Sequence, residues 1–307
     1  MKIKIKTIRS IKGFTLVELL VALALGIIIS AAALQLFMGG VISTRMQQSS
    51  AEIQDSGLFG LEYIAKDIRL VNFGNISHPN LNDKTISGGI ILTTSSTDGD
   101  FNIVSDKVSK DNITRSGLDS NVSVKSDQLT IQFIAPNDMV NCEGEIVQKD
   151  QFVIQRYFLR EDKNGKTGDL ALACDANKPG TSVSSIEGFG GDEDQGEIIM
   201  PRVDHLKFYL GAQSNKGANL GYYTIPDYIV AAESARADSK EPPRIISVKI
   251  EVIVRSKDST ASKMVDASQG TLTTDDKSVK PTDSKTPYLR RLYVTTVALR
   301  NALGESL

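Results

Sequence analysis

The sequence predicts an α+β protein: one long N-terminal helix packed on a head of antiparallel β-sheet with long loops. Three observations predict it. A nearly unbroken apolar run occupies Leu19 to Ile42, long enough for a membrane helix. Apolar residues at spacings of three and four then carry one helical face on to Val71. Beyond residue 75, short stretches with period-two apolar patterning alternate with polar loops, the signature of half-buried strands. The expected organisation is a leader at 1–13, a hydrophobic helix at 14–42, an amphipathic continuation at 43–74 and a β-rich head at 75–307.

The leader is basic. Lys2, Lys4, Lys6, Arg9 and Lys12 come without a single acid, whereas the whole chain of 307 residues has a formal net charge of -2. The remainder is therefore acidic, which argues against general nucleic-acid binding. A basic segment ahead of an apolar run keeps the N-terminus on the cytoplasmic side and sends the downstream chain across the membrane. The hydrophobic fraction is 40%, so most of the chain is expected to fold in water.

The apolar run LLVALALGIIISAAALQLFMGGVI is interrupted only by Ser30 and Gln35. Its length of about 24 residues spans a hydrocarbon core of roughly 30 Å. It is too long for a secretory signal core, and the small residue stands before it, at Gly13, instead of after it. A plain signal anchor explains all of this except the Gly13-Phe14 junction and Glu18. An ionised carboxylate next to hydrocarbon is costly and persists where it has a partner or a function. Near the headgroups, that cost is small.

The amphipathic continuation is marked by Ile53, Gly57, Leu61, Ile64, Ile68 and Val71. Glu62 and Lys66 form an expected i,i+4 pair on its polar side. The stretch Asn72-Phe73-Gly74-Asn75 offers a glycine for the C-cap. From Phe14 to Asn72 such a helix is about 88 Å long at roughly 1.5 Å per residue. Gly26 and Ala31 to Ala33 allow close helix–helix approach in the apolar half.

In the head, Leu129, Ile131, Phe133 and Ala135 share one face of a strand, as do Ile246, Val248, Ile250, Val252 and Val254. Further strands are expected at 152–159, 169–173, 203–210 and 288–299. Strands in succession without intervening helices predict antiparallel pairing. The principal loops are expected at 83–128, 176–197, 211–221, 231–243 and 256–287. Cys142 and Cys174 pair if the head is exported, contributing about 3–4 kcal/mol. The alternative is two separate buried thiols.

Chemistry is sparse. His78 and His205 lack ligand-type neighbours at metal spacing, and no nucleophile or phosphate-loop motif is present. Asp162, Asn164 and Asp169, and separately Asp192, Glu193 and Asp194, resemble calcium loops only superficially. Lys166 falls where the first would need an oxygen ligand, and solvated turns are the simpler reading. Tyr222, Tyr223 and Tyr228 suit either a binding surface or half-buried strand positions. No catalytic residue, metal or cofactor is expected.

Gly13-Phe14-Thr15-Leu16-Val17-Glu18-Leu19, between a short basic leader and a long apolar helix, resembles the class III signal of type IV prepilins and pseudopilins. The resemblance implies cutting by a prepilin peptidase between Gly13 and Phe14 and methylation of the new Phe14 amine. It also implies an assembly contact in which Glu18 meets the positive N-terminus of a neighbouring subunit. Many major pilins carry a helix-breaking proline in the apolar run, and Gln35 stands at that position. QDSGLFGLEYIAKDIRLVNFGN (54–75), with Gly57, Phe59, Asp67, Arg69 and Gly74, is similar to PilW-type minor pilins. RRLYVTTVALRN (290–301) is similar to their last strand, and two mid-head cysteines fit as well.

That family implies a structural protein held in the inner membrane with its head in the periplasm, then placed at a pilus tip. Its partners would be other minor pilins, the major pilin and, as an added possibility, a tip adhesin. A J-type pseudopilin of a type II secretion system shares the plan. A membrane-anchored surface-binding protein is the reading from another class.

Overall fold

The computed structural model describes residues 13–95, 100–191, 196–214, 219–259, 271–275, 277–283 and 286–302. The leader ahead of Gly13, the acidic residues Asp192, Glu193 and Asp194, and much of the 256–287 loop lie outside the described residues. The chain divides into two compact units, residues up to Gln48 and residues from Ser49 onward.

The first unit is helical. Helix α1, Leu16–Ile68, begins here and passes Gln35 without a break. Its side chains from Leu16 to Met38 are exposed, as all-round apolar composition requires of a helix meant for lipid or for other helices.

In the second unit, α1 from Ser49 onward carries Ile53, Leu61, Ile64, Ala65 and Ile68 into the main core. The strands form two principal antiparallel sheets, where the sequence predicts one. Five strands make the first: β1 (Arg115–Leu118), β2 (Ser126–Ile134), β3 (Phe152–Glu161), β4 (Leu170–Ala176) and β5 (Glu197–Met200), adjacent in chain order. The second contains β6 (Val203–Ser214), β7 (Asn219–Thr224), β8 (Arg244–Ser259) and β9 (Tyr288–Ala298), in the order β7-β6-β8-β9. Short two-stranded pairs, one of them parallel, lie in the loops.

The helix approaches both sheets through glycines. A Cβ on Gly57 would strike the Tyr293 ring of β9, and one on Gly60 would strike Met200 of β5. Glycine here gives up helix propensity for close backbone approach. Helix α1 stops at Ile68, four residues before the expected Asn72. Leu70 N bonds to Asp67 O and Val71 N to Ile68 O, tightening the chain into i→i−3 turns. Asn72 N then bonds to Gln132 O of β2, so sheet pairing ends the helix. Asn72 itself takes a left-handed φ of 66° ahead of Gly74 at 90°.

Several local expectations are corrected. Glu62 pairs with Arg69 at 3.0 Å, not with Lys66, because the chain turns after the helix and brings the guanidinium back. Ile245, not Ile246, joins the core face of β8. A register shift between Gly211/Ser247 and Ala212/Ile245 leaves Ile246 as an extra residue, which inverts the parity of the strand. The expected loop 211–221 is largely strand in β6 and β7. The expected loop 231–243 opens inside helix α2, Ile225–Ala237, capped by the Thr224 hydroxyl on Asp227 N at 3.3 Å. Strand β4 is shifted toward Ala176 relative to 169–173.

The expected loop 83–128 contains β1 and the start of β2, and its part before β1 packs on the first sheet. Its backbone is satisfied by polar side chains of β2: Gln132 Nε2 donates to Gly88 O and Asn102 O, both at 2.8 Å, and Gln128 Nε2 to Asp111 O at 2.6 Å. Ile91, Ile103 and Val108 form a second small core there with Ile154, Ile186 and Phe189.

Candidate functional site

The junction singled out in the sequence is the start of α1. Gly13 and Phe14 are exposed and non-helical, Phe14 at 90%. Thr15 immediately precedes the helix, and its carbonyl accepts the first helical bond, from Leu19 N at 3.2 Å. Glu18 N donates to Thr15 Oγ1 at 3.2 Å, while Glu18 Oε2 accepts from Thr15 N and from Thr15 Oγ1, each at 2.9 Å. This is a capping box: the hydroxyl and the carboxylate satisfy donors that the first turn leaves open.

Glu18 thus has a local reason to stand in an apolar segment, one that sequence reading missed. The Thr-x-x-Glu spacing is the signal for it. The carboxylate also lies near the helix N-terminus, where the macrodipole favours negative charge. Its Oε1 has no hydrogen bond among the described residues. Around it Leu16, Val17 and Leu19 are exposed, so the carboxylate is a point of charge on an apolar rod. This helix is long and apolar enough to cross a membrane.

In the second unit, the two segments that carry the weaker resemblance come together. Asn72 Nδ2 donates to Asn301 O at 3.0 Å, and Asn301 Nδ2 donates to Arg69 O at 3.1 Å and Val71 O at 3.3 Å. The end of the helix is thereby tied to the end of the last strand. Tyr293 meets Gly57 along the same seam.

Asp67, on the inner side of α1, accepts from Tyr157 Oη at 2.7 Å. The Gln155 amide, oriented to satisfy its surroundings, donates to Asp67 Oδ2 at 3.2 Å and accepts from Cys142 N at 3.0 Å. Burial pushes the Asp67 carboxyl up to about 6, against the Tyr157 bond and the Lys66 charge, which lower it. Cys142 and Cys174 form a disulfide with Cα atoms 6.0 Å apart, and Cys174 stands opposite Tyr157 in the sheet. The bond ties the hairpin turn after Met139–Val140 to β4.

The other candidates separate. His78 is exposed. His205 is buried in β6, with Nδ1 at 3.2 Å from Ser126 Oγ, and burial pushes it down to about 4. A Ser–His contact without solvent access holds two sheets together and offers no path to a substrate. Asp162 caps a turn by accepting from Asn164 N at 3.0 Å, while Asp169 is turned away to Arg255. Among the described residues no cluster of three or more His, Cys, Asp or Glu is placed to hold a metal. Tyr222 and Tyr223 lie on β7, whereas Tyr228 is buried on α2 and donates to Pro243 O at 2.7 Å.

Two family models match the chain. "Prokaryotic N-terminal methylation motif" matches residues 8–34 and "Type IV Pilus-assembly protein W" matches residues 156–301. No curated protein matches. Among solved structures, a type IV-like pilin from Thermus thermophilus is similar at 13% identity and a TM-score of 0.38, covering 81% of this chain and 97% of that one.

Proposed function

We propose that this chain, a type IV pilin-like protein with a class III signal, is a PilW-type minor pilin that helps to initiate pilus assembly. Prepilin peptidase cuts it between Gly13 and Phe14, and the new Phe14 amine is methylated. The mature subunit waits in the inner membrane with its N-terminus cytoplasmic and its head periplasmic. It then joins other minor pilins at the filament tip, in contact with the major pilin. Its role is structural, not catalytic.

The observation that carries this reading is the start of α1. An exposed Gly13-Phe14 joint, a carboxylate three residues into a capped helix and an all-round apolar surface stand together. A simple anchor needs the last of these and neither of the first two. In the apolar layer of a filament, Glu18 Oε1 offers the neighbouring amine a charge-assisted hydrogen bond. Deleting the chain should sharply reduce the number of pili per cell by electron microscopy. Re-expressed Glu18→Ala should be cut and held in the membrane as before, yet leave pilus number at the deletion level. Normal piliation with Glu18→Ala would sink the assembly role of the carboxylate.

A further inference from the structure

A cavity of about 250 Å³ opens between the turn at 166–169, the start of β6, and strands β8 and β9. Its lining includes Asn121, Thr167, Asp204, Arg255, Thr282 and Arg290. The two arginines are not equivalent. Arg255 is held at two nitrogens and on one face: Nε meets Asp204 Oδ1 at 3.1 Å, Nη2 meets Asp169, and Cζ lies 4.3 Å from the centre of the Tyr288 ring. Arg290 uses Nε for Asp204 Oδ2 at 2.7 Å. Among the described residues its two terminal nitrogens have no hydrogen-bond acceptor, although the side chain is only 6% exposed.

A guanidinium whose two terminal nitrogens, with four of its five N–H donors, face a cavity is the arrangement that a planar carboxylate satisfies, through two parallel bonds. Asp204 Oδ2 takes only the Nε bond of Arg290 among the described residues, while Oδ1 meets Arg255 Nε and Asn121 Nδ2, the latter at 3.3 Å. The rest of the wall is made of hydroxyl, amide and carboxylate groups, the Tyr288 ring and Lys166, whose ammonium donates to Lys257 O at 2.7 Å. Thr167, Thr282 and Asp283 are exposed at the rim, where Asp283 Oδ1 already accepts from Thr286 N at 3.2 Å. Arg255 stacks on the Tyr288 ring. A ligand with several hydroxyls finds both donors and acceptors. The volume lies below the roughly 300–1,000 Å³ of sites that take drug-sized molecules, which limits the occupant to one small unit.

We propose that this cavity binds a small hydroxylated carboxylate, of the size and chemistry of one uronic acid residue, with its carboxylate on Arg290. The site does not depend on the tip-complex reading, because it is built entirely within the head.

The test uses the full-length chain in detergent micelles, titrated with sodium glucuronate, glucose, acetate and N-acetylglutamate by ligand-observed NMR. Glucuronate should bind in the millimolar range or tighter, with glucose and acetate about tenfold weaker or more. Arg290→Gln should lose about tenfold in affinity, and Thr167→Val with Thr282→Val severalfold, with Tm showing each variant folded. Should Arg290→Gln not fold, the threonine variant decides: unchanged affinity for glucuronate overturns the assignment. No glucuronate binding by the folded wild type up to about 10 mM also overturns it. So does acetate binding as well as glucuronate, which would mark a bare anion contact. N-acetylglutamate binding more tightly than glucuronate would assign the site to a protein carboxylate and overturn the sugar.

Discussion

Asp67 and His205 pull the pH dependence of the head in opposite directions. The Asp67 carboxyl rises from 3.8 to about 6 in the folded chain, so the folded state holds its proton longer than the unfolded one. Its contribution is complete below pH 3.8 and is lost as pH rises through about 6, a difference of about 3 kcal/mol. Asp67→Asn keeps an acceptor for Tyr157 and removes the buried charge. The advantage of Asp67→Asn over wild type in urea unfolding should therefore grow between pH 4 and 7. A constant gap across that window would contradict the burial account. His205 runs the other way. It is held neutral, with its value lowered from 6.5 to about 4, so its contribution is present above 6.5 and lost as pH falls through about 4. At the other end of the chain, Thr15→Val removes the hydroxyl half of the capping box. That should cost about 1 kcal/mol of local helix stability, read as faster amide exchange at Glu18. Unchanged exchange would deny the box any energetic role.

At the scale of elements, the two helix glycines differ in what they face. Met200 presents the flexible end of its side chain to Gly60, whereas Tyr293 presents a rigid ring to Gly57. Gly57→Ala should therefore destabilise by about 1–3 kcal/mol and Gly60→Ala by distinctly less, by thermal unfolding. Equal costs would mean that the ring yields as easily as the thioether. The disulfide closes a separation of 32 residues, so Cys142→Ser with Cys174→Ser should cost about 3–4 kcal/mol. A variant as stable as wild type in urea would show that the loop is already ordered in the unfolded chain.

Legibility depends on the same local physics. The core faces of β2 and most of β8 are readable because period-two patterns persist through them. The shift from Ile246 to Ile245 is not, because a bulge depends on the partner strand. Helix α2 is hard to see in the sequence because only Ile225, Tyr228 and Ala232 are buried along it, too few to mark a stripe. The division of the strands between two sheets rests on β6 pairing with β8, across β7 and α2, and not with β5, which no local pattern encodes. The Arg290 cavity is equally hidden, since its lining comes from six separate stretches of chain.

At the scale of the molecule, the head and the apolar helix have separate tasks. The head's two sheets, disulfide and helix seam make one packed platform. On the proposed reading, the apolar helix carries the features that a filament uses: an exposed Gly13-Phe14 joint, a capped start and a carboxylate with one oxygen still to be used. These features matter only if the leader is removed, because the Phe14 amine does not exist until then. The most direct measurement is therefore the N-terminus of the native protein, by mass spectrometry of membrane fractions from cells with and without prepilin peptidase. The prediction is a chain beginning at N-methylated Phe14 in the first and an uncut leader in the second. An intact leader in both, or a cut at another residue, would contradict the account and leave Glu18 as a helix cap alone.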